Sequence, residues 1–443
     1  MPDDYVLKVK KALQGHPESP RLWANLINKI ITQLNLKPCT HEPNLYYTDN
    51  YNGTKKRVLF LRQVDDFAIA CEDRSTAATV INDINSKMSI DVKELGMIER
   101  FNGVDVEQRK EYIKLHNKTY ISKLIQQHPW LKNDTDPIHT HPLPMNPANQ
   151  YQHDLETATP LTPTERQQLE HEYGFSYRQA VGEIIYAMIT CRPDISYAII
   201  KLSQYSTCPA AIHYDAFKHL YRYLKATISD GIYYWRSTPR ADLPKGDIPI
   251  LKSDANYEEH TVIQRQHHTS DALHAYVDSN HATDCSHRRS VSGYHVKLAG
   301  GAVFYKSQVQ SIIAQSSTEA ELIAAAEAGK KILYLRTIME QIGLPQDTAT
   351  VLFEDNQGVL LMAQVGQPTK RTKHIDIKYF AIQDWVERDL LTFKHIATTD
   401  NSSDALTKAT PRTLFYRHNN HVMGKLIPSY VTFVSQSHLK IQK

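Results

Sequence analysis

Cysteine is scarce: Cys39, Cys71, Cys191, Cys208 and Cys285 are scattered over 443 positions, with no CxxC pair and no zinc-finger His/Cys spacing. That excludes a disulfide framework and a structural zinc site, and it suits a reducing compartment. No apolar run approaches the ~18 residues of a membrane span. The opening MPDDYVLKVKKAL lacks a signal-peptide layout. A soluble intracellular protein without a membrane partner is expected. Net charge is lacking too: 51 Lys+Arg against 48 Asp+Glu leave +3. A histone-like polycation is thereby excluded, though local basic tracks remain open. There is no internal repeat. What is present is ordinary for a globular chain, 41% hydrophobic and 22% charged, with length for roughly two to four domains.

Two polar, proline-bearing stretches interrupt the apolar periodicity, at 133–170 and 237–271. Both read as linkers. They separate an α+β part (1–132), a helical middle (171–236) and an α/β part (272–410), followed by a tail (411–443) without functional signal. In the middle, 178–204 and 211–227 carry apolar residues at helical spacing, with Cys191-Arg-Pro-Asp194 as a break. Its tyrosines (Tyr186, Tyr197, Tyr214, Tyr221, Tyr223) read as amphipathic core rather than base-stacking platforms.

In the last third the elements alternate. The pattern predicts strands at 273–277, 293–298 and 302–306, the last two a hairpin around Gly300-Gly301. A long helix starts at Ser317-Thr318, where Thr318 and Glu321 form a capping box. A strand (350–353), two helices (358–364, 373–388), a strand (391–396) and a helical segment opened by Asp404 follow. Carboxylates stand at the ends of these elements: Asp278, Glu321, Asp355 and Asp404. They are far apart in sequence, so only folding can gather them. Mg²⁺ is held by a few carboxylates plus substrate phosphate, and a pair of ions ~4 Å apart suits in-line phosphoryl displacement. Glu319 competes with Glu321, but two residues are ~200° apart on a helix and share no face. The stripe through Glu321 runs on through Ala325, Ala328 and Ile332, so Glu321 is chosen.

Six motifs now stand in order over about 130 residues: Tyr276-Val-Asp278, Arg289-Ser-Val-Ser-Gly-Tyr294, Ser316-Ser-Thr-Glu-Ala-Glu321, Asp355-Asn-Gln357, Arg371-Thr-Lys-His-Ile-Asp-Ile-Lys-Tyr379 and Asp404-Ala-Leu-Thr-Lys408. Together they closely resemble the ribonuclease H domain of copia-type (Ty1/copia) retrotransposon polyproteins. The resemblance implies a mixed five-stranded RNase H-like sheet with flanking helices. It also implies that Asp278, Glu321, Asp355 and Asp404 bind two Mg²⁺ ions, with Mn²⁺ as a substitute, and cut the RNA strand of an RNA–DNA hybrid. Arg289, Arg371, Lys373 and His374 are the expected nucleic-acid contacts, with other retroelement polyprotein products as further partners. The residues after Asp278 depart from the family's Ala-Asp-Trp, reading Ser279-Asn280-His281. The loop before Asp404 carries no His, and His395 is expected on the strand.

Earlier segments resemble the same polyprotein. Phe175-Ser-Tyr-Arg-Gln-Ala-Val-Gly182, Cys191-Arg-Pro-Asp-Ile-Ser-Tyr-Ala198 and Leu220-Tyr-Arg-Tyr-Leu-Lys225 look like its helical connection. Glu94-Leu-Gly-Met97, Phe101-Asn-Gly-Val-Asp-Val106 and Tyr120-Ile-Ser-Lys-Leu124 look like the end of its reverse transcriptase. Lys11-Ala-Leu-Gln-Gly15 with Ser19-Pro-Arg-Leu-Trp23, and Gln63-Val-Asp-Asp66, look like two palm motifs. The latter places Asp65 and Asp66, a weak metal pair, at a hairpin turn. The third polymerase carboxylate is expected upstream of this chain. The usual Tyr is Gln63, and Pro17-Glu18 replaces Lys-Gln, setting like charge against a triphosphate. The expectation is a palm/thumb remnant inactive by itself, beside a working RNase H. Two alternatives are a catalytically dead nucleic-acid-binding remnant and a polymerase completed by a separate N-terminal piece. Localisation follows as cytoplasmic, with a virus-like particle or the nucleus as variants.

Overall fold

The computed structural model describes residues 15–89, 91–135, 143–247, 271–283, 288–365 and 376–425. Contacts divide the chain into two units: 1–102 with 334–345, and 103–333 with 346–443. No helix among the described residues is long and apolar enough to cross a membrane.

In the smaller unit, the helix Ser19–Gln33 buries Ile27, Ile30 and Ile31, one face at i, i+3, i+4 spacing. An antiparallel sheet of Lys37–Pro38, Leu45–Thr48, Val58–Gln63 and Asp66–Cys71 follows, in that spatial order. The expected hairpin is there, with Gln63 opposite Asp66. Val64 takes a left-handed φ of 54° in its turn. Asp65 and Asp66 are both exposed.

The larger unit begins with an antiparallel sheet in which Tyr112–His116 pairs with Val104–Gln108 on one side and Gly231–Trp235 on the other. This pairing moves a boundary. A division was expected at 132, but 103–132 belongs with the helical middle, because Tyr112 packs on Tyr233 and Trp235. The middle contains the helices Tyr177–Cys191, Ser196–Ser203 and Ala211–Ala226. Tyr214, Tyr221 and Tyr223 are buried in its core and Tyr197 packs against it. At the Cys191–Asp194 break the fully buried Arg192 grips Asp194 with two bonds (2.9 and 2.6 Å) and Thr227 with two more.

The stretch read as a linker at 133–170 is partly helical: Asn149–Thr157 and Pro163–Tyr173 are helices. The proline at 163 starts the second one rather than breaking it, since an N1 proline loses no intrahelical bond, and Thr162 and Glu165 close a capping box in front of it. Most of the second expected linker, 248–270, lies outside the described residues.

The α/β part is a five-stranded sheet of β1 (His274–Asn280), β2 (Val291–Leu298), β3 (Gly301–Val309), β4 (Thr350–Glu354) and β5 (Leu391–His395). Its spatial order is β3-β2-β1-β4-β5. β1, β2 and β3 pair antiparallel, while β4 runs parallel to β1 and β5. This mixed sheet is the RNase H-like architecture. Its helices are α1 (Ser317–Gln341), α2 (Gln357–Val365), α3 (Asp376–Glu387) and the short α4 (Asp404–Thr407). The expected tail instead starts with α5 (Arg412–Val422), which buries Phe415, Tyr416 and His421. Residues 426–443 lie outside the described residues.

Candidate active site

Asp278 stands on β1 directly opposite Gly293 of β2. A Cβ on Gly293 would lie 2.6 Å from Thr407 Cγ2 and 2.8 Å from Leu406 Cβ. Glycine therefore lets α4 settle on the sheet and sets Asp404, at its start, beside Asp278. Thr407 of α4 donates its hydroxyl to Asp278 Oδ2. The loop into α4 is tied to β1 by Asn401, whose amide donates to the carbonyl of Val277 (2.7 Å).

Asp355 follows β4 at the point where Asn356 caps α2, its side chain accepting the Gly358 N–H at 2.9 Å. Glu321 comes from the second turn of α1. The expected Thr318–Glu321 capping box is not what starts this helix. Ser316 Oγ accepts the N–H of Glu319 (3.1 Å), and the Glu319 carboxylate accepts the N–H of Gln315 (2.6 Å). Capping falls to Glu319, and Glu321 is released for the cluster. Glu319 is buried all the same, because a cap folded back on its own turn is shielded from solvent.

The result is a convergence: Asp278, Glu321 and Asp355 each offer a carboxylate oxygen, all within 4.8 Å of one another. Asp278 and Glu321 are buried, Asp355 half-buried. Burial and like charge act together here. Desolvation, then Asp278, push the Asp404 carboxyl up to about 7. Burial raises Asp278, partly offset by Lys408. Burial and then three neighbouring carboxylates raise Glu321 well above its ordinary range. Lys408 Nζ is 2.9 Å from Asp404 Oδ1. Glu321 Oε2 is buried and has no hydrogen-bond partner. An orphaned carboxylate oxygen within a cluster of acids suits a hard divalent cation.

The other expected residues are distributed less favourably. Arg289 is exposed just before β2. Arg371, Lys373 and His374 lie outside the described residues. Among the described residues Asp65 and Asp66 join no metal-capable group of three. His395 ends β5, exposed. Three residues were not singled out in advance: Glu354, Thr407 and Lys408. Lys408 had a signal, four residues after Asp404 and so on its helical face. Glu354 had none, since its burial comes from the fold.

Residues 2–142 match the family described as reverse transcriptase (RNA-dependent DNA polymerase). The chain is 28% identical over 412 residues to a retrovirus-related Pol polyprotein from transposon TNT 1-94 of Nicotiana tabacum, covering 93% of this chain and 27% of that one. It is 26% identical to a putative transposon Ty5-1 protein of Saccharomyces cerevisiae, covering 74% of this chain and 90% of that one. A solved RNase H1 isolated from compost shares 17% identity with a TM-score of 0.26, over 31% of this chain and 94% of that one. The chain spans about a quarter of the length of the plant polyproteins it matches. Ordered motifs, the β3-β2-β1-β4-β5 sheet and near full-length similarity to transposon polyproteins lead to one conclusion: the chain belongs to the copia-type retrotransposon polyproteins, carrying reverse-transcriptase sequence followed by an RNase H-like domain.

Proposed function

We propose that the chain is an RNase H-type endonuclease that cuts the RNA strand of an RNA–DNA hybrid. The observation that carries this reading is the convergence of Asp278, Glu321 and Asp355 from three distant segments, with Asp404 brought alongside by α4. These four acids would hold two Mg²⁺ ions, for which Mn²⁺ could substitute. Bound there, the ions would activate the attacking water and offset charge on the leaving 3′ oxygen. The chain's own part is preorganisation. Thr407 fixes one oxygen of Asp278, Asn401 pins the loop that presents Asp404, and Lys408 limits repulsion between the two. Hybrid binding would rest on backbone phosphates, groove shape and the 2′-OH. Arg289 is a described candidate for a phosphate contact, and Arg371, Lys373 and His374 are proposed from their motif. Among the described residues the exposed Asp65 and Asp66 join no third metal-capable group, and no catalysis is proposed for the polymerase segment.

The test is hydrolysis of a strand-labelled RNA–DNA hybrid in Mg²⁺, with Asp355→Asn as the variant and duplex DNA as the negative substrate. Metal-dependent cutting of the RNA strand alone, lost in Asp355→Asn, is expected. A folded protein that binds the hybrid without cutting it would overturn the enzyme reading and leave a binding remnant.

A further inference from the structure

His295 lies two residues beyond Gly293 on β2, on the same face of the sheet and directly opposite Tyr276 of β1. Its ring stacks on that tyrosine with centroids 4.9 Å apart and planes 7° apart. Tyr276 in turn stacks on Phe353 of β4 at 4.8 Å, so side chains from three strands fix the plane of the imidazole. Both ring nitrogens reach the loop that leads into α4. Nδ1 is 3.1 Å from Ser403 Oγ and Nε2 is 3.2 Å from Ser402 Oγ. Ser402 Oγ is also bonded to His421 Nδ1 of α5 (2.8 Å). His295, Ser402, Ser403 and His421 are each 0% exposed.

A histidine is a costly residue for this interior, since an apolar ring would stack on Tyr276 with no polar group to desolvate. What the imidazole adds is direction. Burial pushes its pKa well below the ordinary value, so the neutral ring has one donor and one acceptor nitrogen and meets the two hydroxyls in opposite roles. Sliding the loop by one residue would replace one hydroxyl by the longer side chain of Asn401 or Asp404, in a place with no exposed surface. The loop therefore has a single register. Asn401 ties its start to β1, His295 ties its end, and the next residue is Asp404.

Resting on the nuclease reading above, we propose that His295 is a positioning residue for Asp404: it clamps the two preceding serines and so holds that carboxylate beside Asp278. It is not a catalytic residue and acts only through Ser402 and Ser403.

The test compares the full chain as wild type, His295→Phe, which keeps the ring stack and removes both hydrogen bonds, and Ser403→Ala, which removes one. His213→Gln, in the helical middle, is the control for lost stability alone. Each is titrated with Mn²⁺ by electron paramagnetic resonance without nucleic acid, and hybrid hydrolysis in Mg²⁺ is resolved into kcat and KM. His295→Phe should weaken Mn²⁺ binding and lower kcat by roughly 10-fold, the lower end of the range for residues that support metal ligands, with KM for the hybrid within about twofold of wild type. Ser403→Ala should move both in the same direction by less. His295→Asn, whose amide can meet Ser403 from the place of Nδ1, should recover part of the loss. His213→Gln should melt lower and leave Mn²⁺ binding and kcat unchanged. Mn²⁺ affinity and kcat within about twofold of wild type in both His295→Phe and Ser403→Ala would make His295 a core residue and overturn the proposal. An equal loss in His213→Gln would overturn it too, by tracing the effect to stability. If His295→Phe does not fold by near-ultraviolet circular dichroism, Ser403→Ala and His295→Asn decide by the same criterion. The two readings fail separately. Wild type that binds Mn²⁺ but cuts no hybrid sinks the nuclease, and positioning is still read from Mn²⁺ affinity. Cutting that is lost in Asp355→Asn yet unaltered in His295→Phe sinks this proposal alone, and wild type that binds no Mn²⁺ sinks both.

Discussion

Gly293 shows how much of the site hangs on a missing side chain. It faces Asp278 across the β1–β2 pair, and the space where its Cβ would stand is taken by Thr407 and Leu406 of α4. A branched side chain there must push α4 off the sheet, and with it Thr407, Asp404 and Lys408. Gly293→Val should lower stability by about 1–3 kcal/mol, the usual cost of overpacking, and weaken Mn²⁺ binding as well. Thermal denaturation and a Mn²⁺ titration check it; stability lost with metal affinity intact would mean that α4 does not depend on this approach. The motif around Gly293 was readable in the sequence, but its reason was not, because the colliding residues are more than a hundred positions away. The same holds for Glu354. Next to Asp355 it looks like one more acid, and only its 0% exposure marks it as interior.

Elements were the most legible level wherever periodicity was strong. The five strands and the long helix of the RNase H-like part fall close to their expected positions, since alternation and helical spacing report directly on which face is buried. Polar helices were missed, because Pro163–Tyr173 buries no residue and has no apolar stripe to reveal it. The helix Ala211–Ala226 illustrates a local device invisible to pattern. His213 Nδ1 accepts the N–H of Ala210 (2.8 Å), leaving Nε2 to donate to the carbonyl of Leu155 (2.8 Å). Its ring stacks on Tyr205. This arrangement needs the neutral imidazole, and burial holds its pKa below the ordinary value. A depressed histidine contributes fully above its unfolded pKa of about 6.5, and that contribution is lost as pH falls below it. The stability gap between wild type and His213→Gln should therefore narrow between about pH 7.5 and pH 5.5. Melting curves at both pH values measure this, and a gap that widens toward acid would contradict the neutral assignment.

At the scale of the whole molecule the largest departure from expectation is the C-terminal segment. α5 was read as part of a tail, yet Phe415 and Tyr416 enter the core of the helical middle. His421 Nδ1 is hydrogen-bonded to Ser402 Oγ (2.8 Å), and its carbonyl accepts a hydrogen bond from Nζ of the buried Lys297. Ser402 also meets His295 Nε2 at 3.2 Å, so one helix links the middle, the sheet and the loop carrying Asp404. Ending the chain after Thr410 removes roughly 3–6 kcal/mol through Phe415 and Tyr416 alone, a large part of the roughly 5–15 kcal/mol that typically holds a domain together. The shortened chain should lose its near-ultraviolet signal and become sensitive to limited proteolysis. A truncated chain that stays folded and binds Mn²⁺ normally would restore the tail reading.

The sequence by itself determined the family, the order of strands and helices in the last third, and the acids at their ends. Each of these is written in local spacing, which any short window of chain carries. Tertiary structure alone decided which acids lie together, that Glu319 caps and Glu321 is released, that Glu354 is fully buried while Lys408 pairs with Asp404, and that α5 is core. Those outcomes depend on desolvation and on charges that meet only after distant segments have packed, and no local pattern records what a side chain will be buried against.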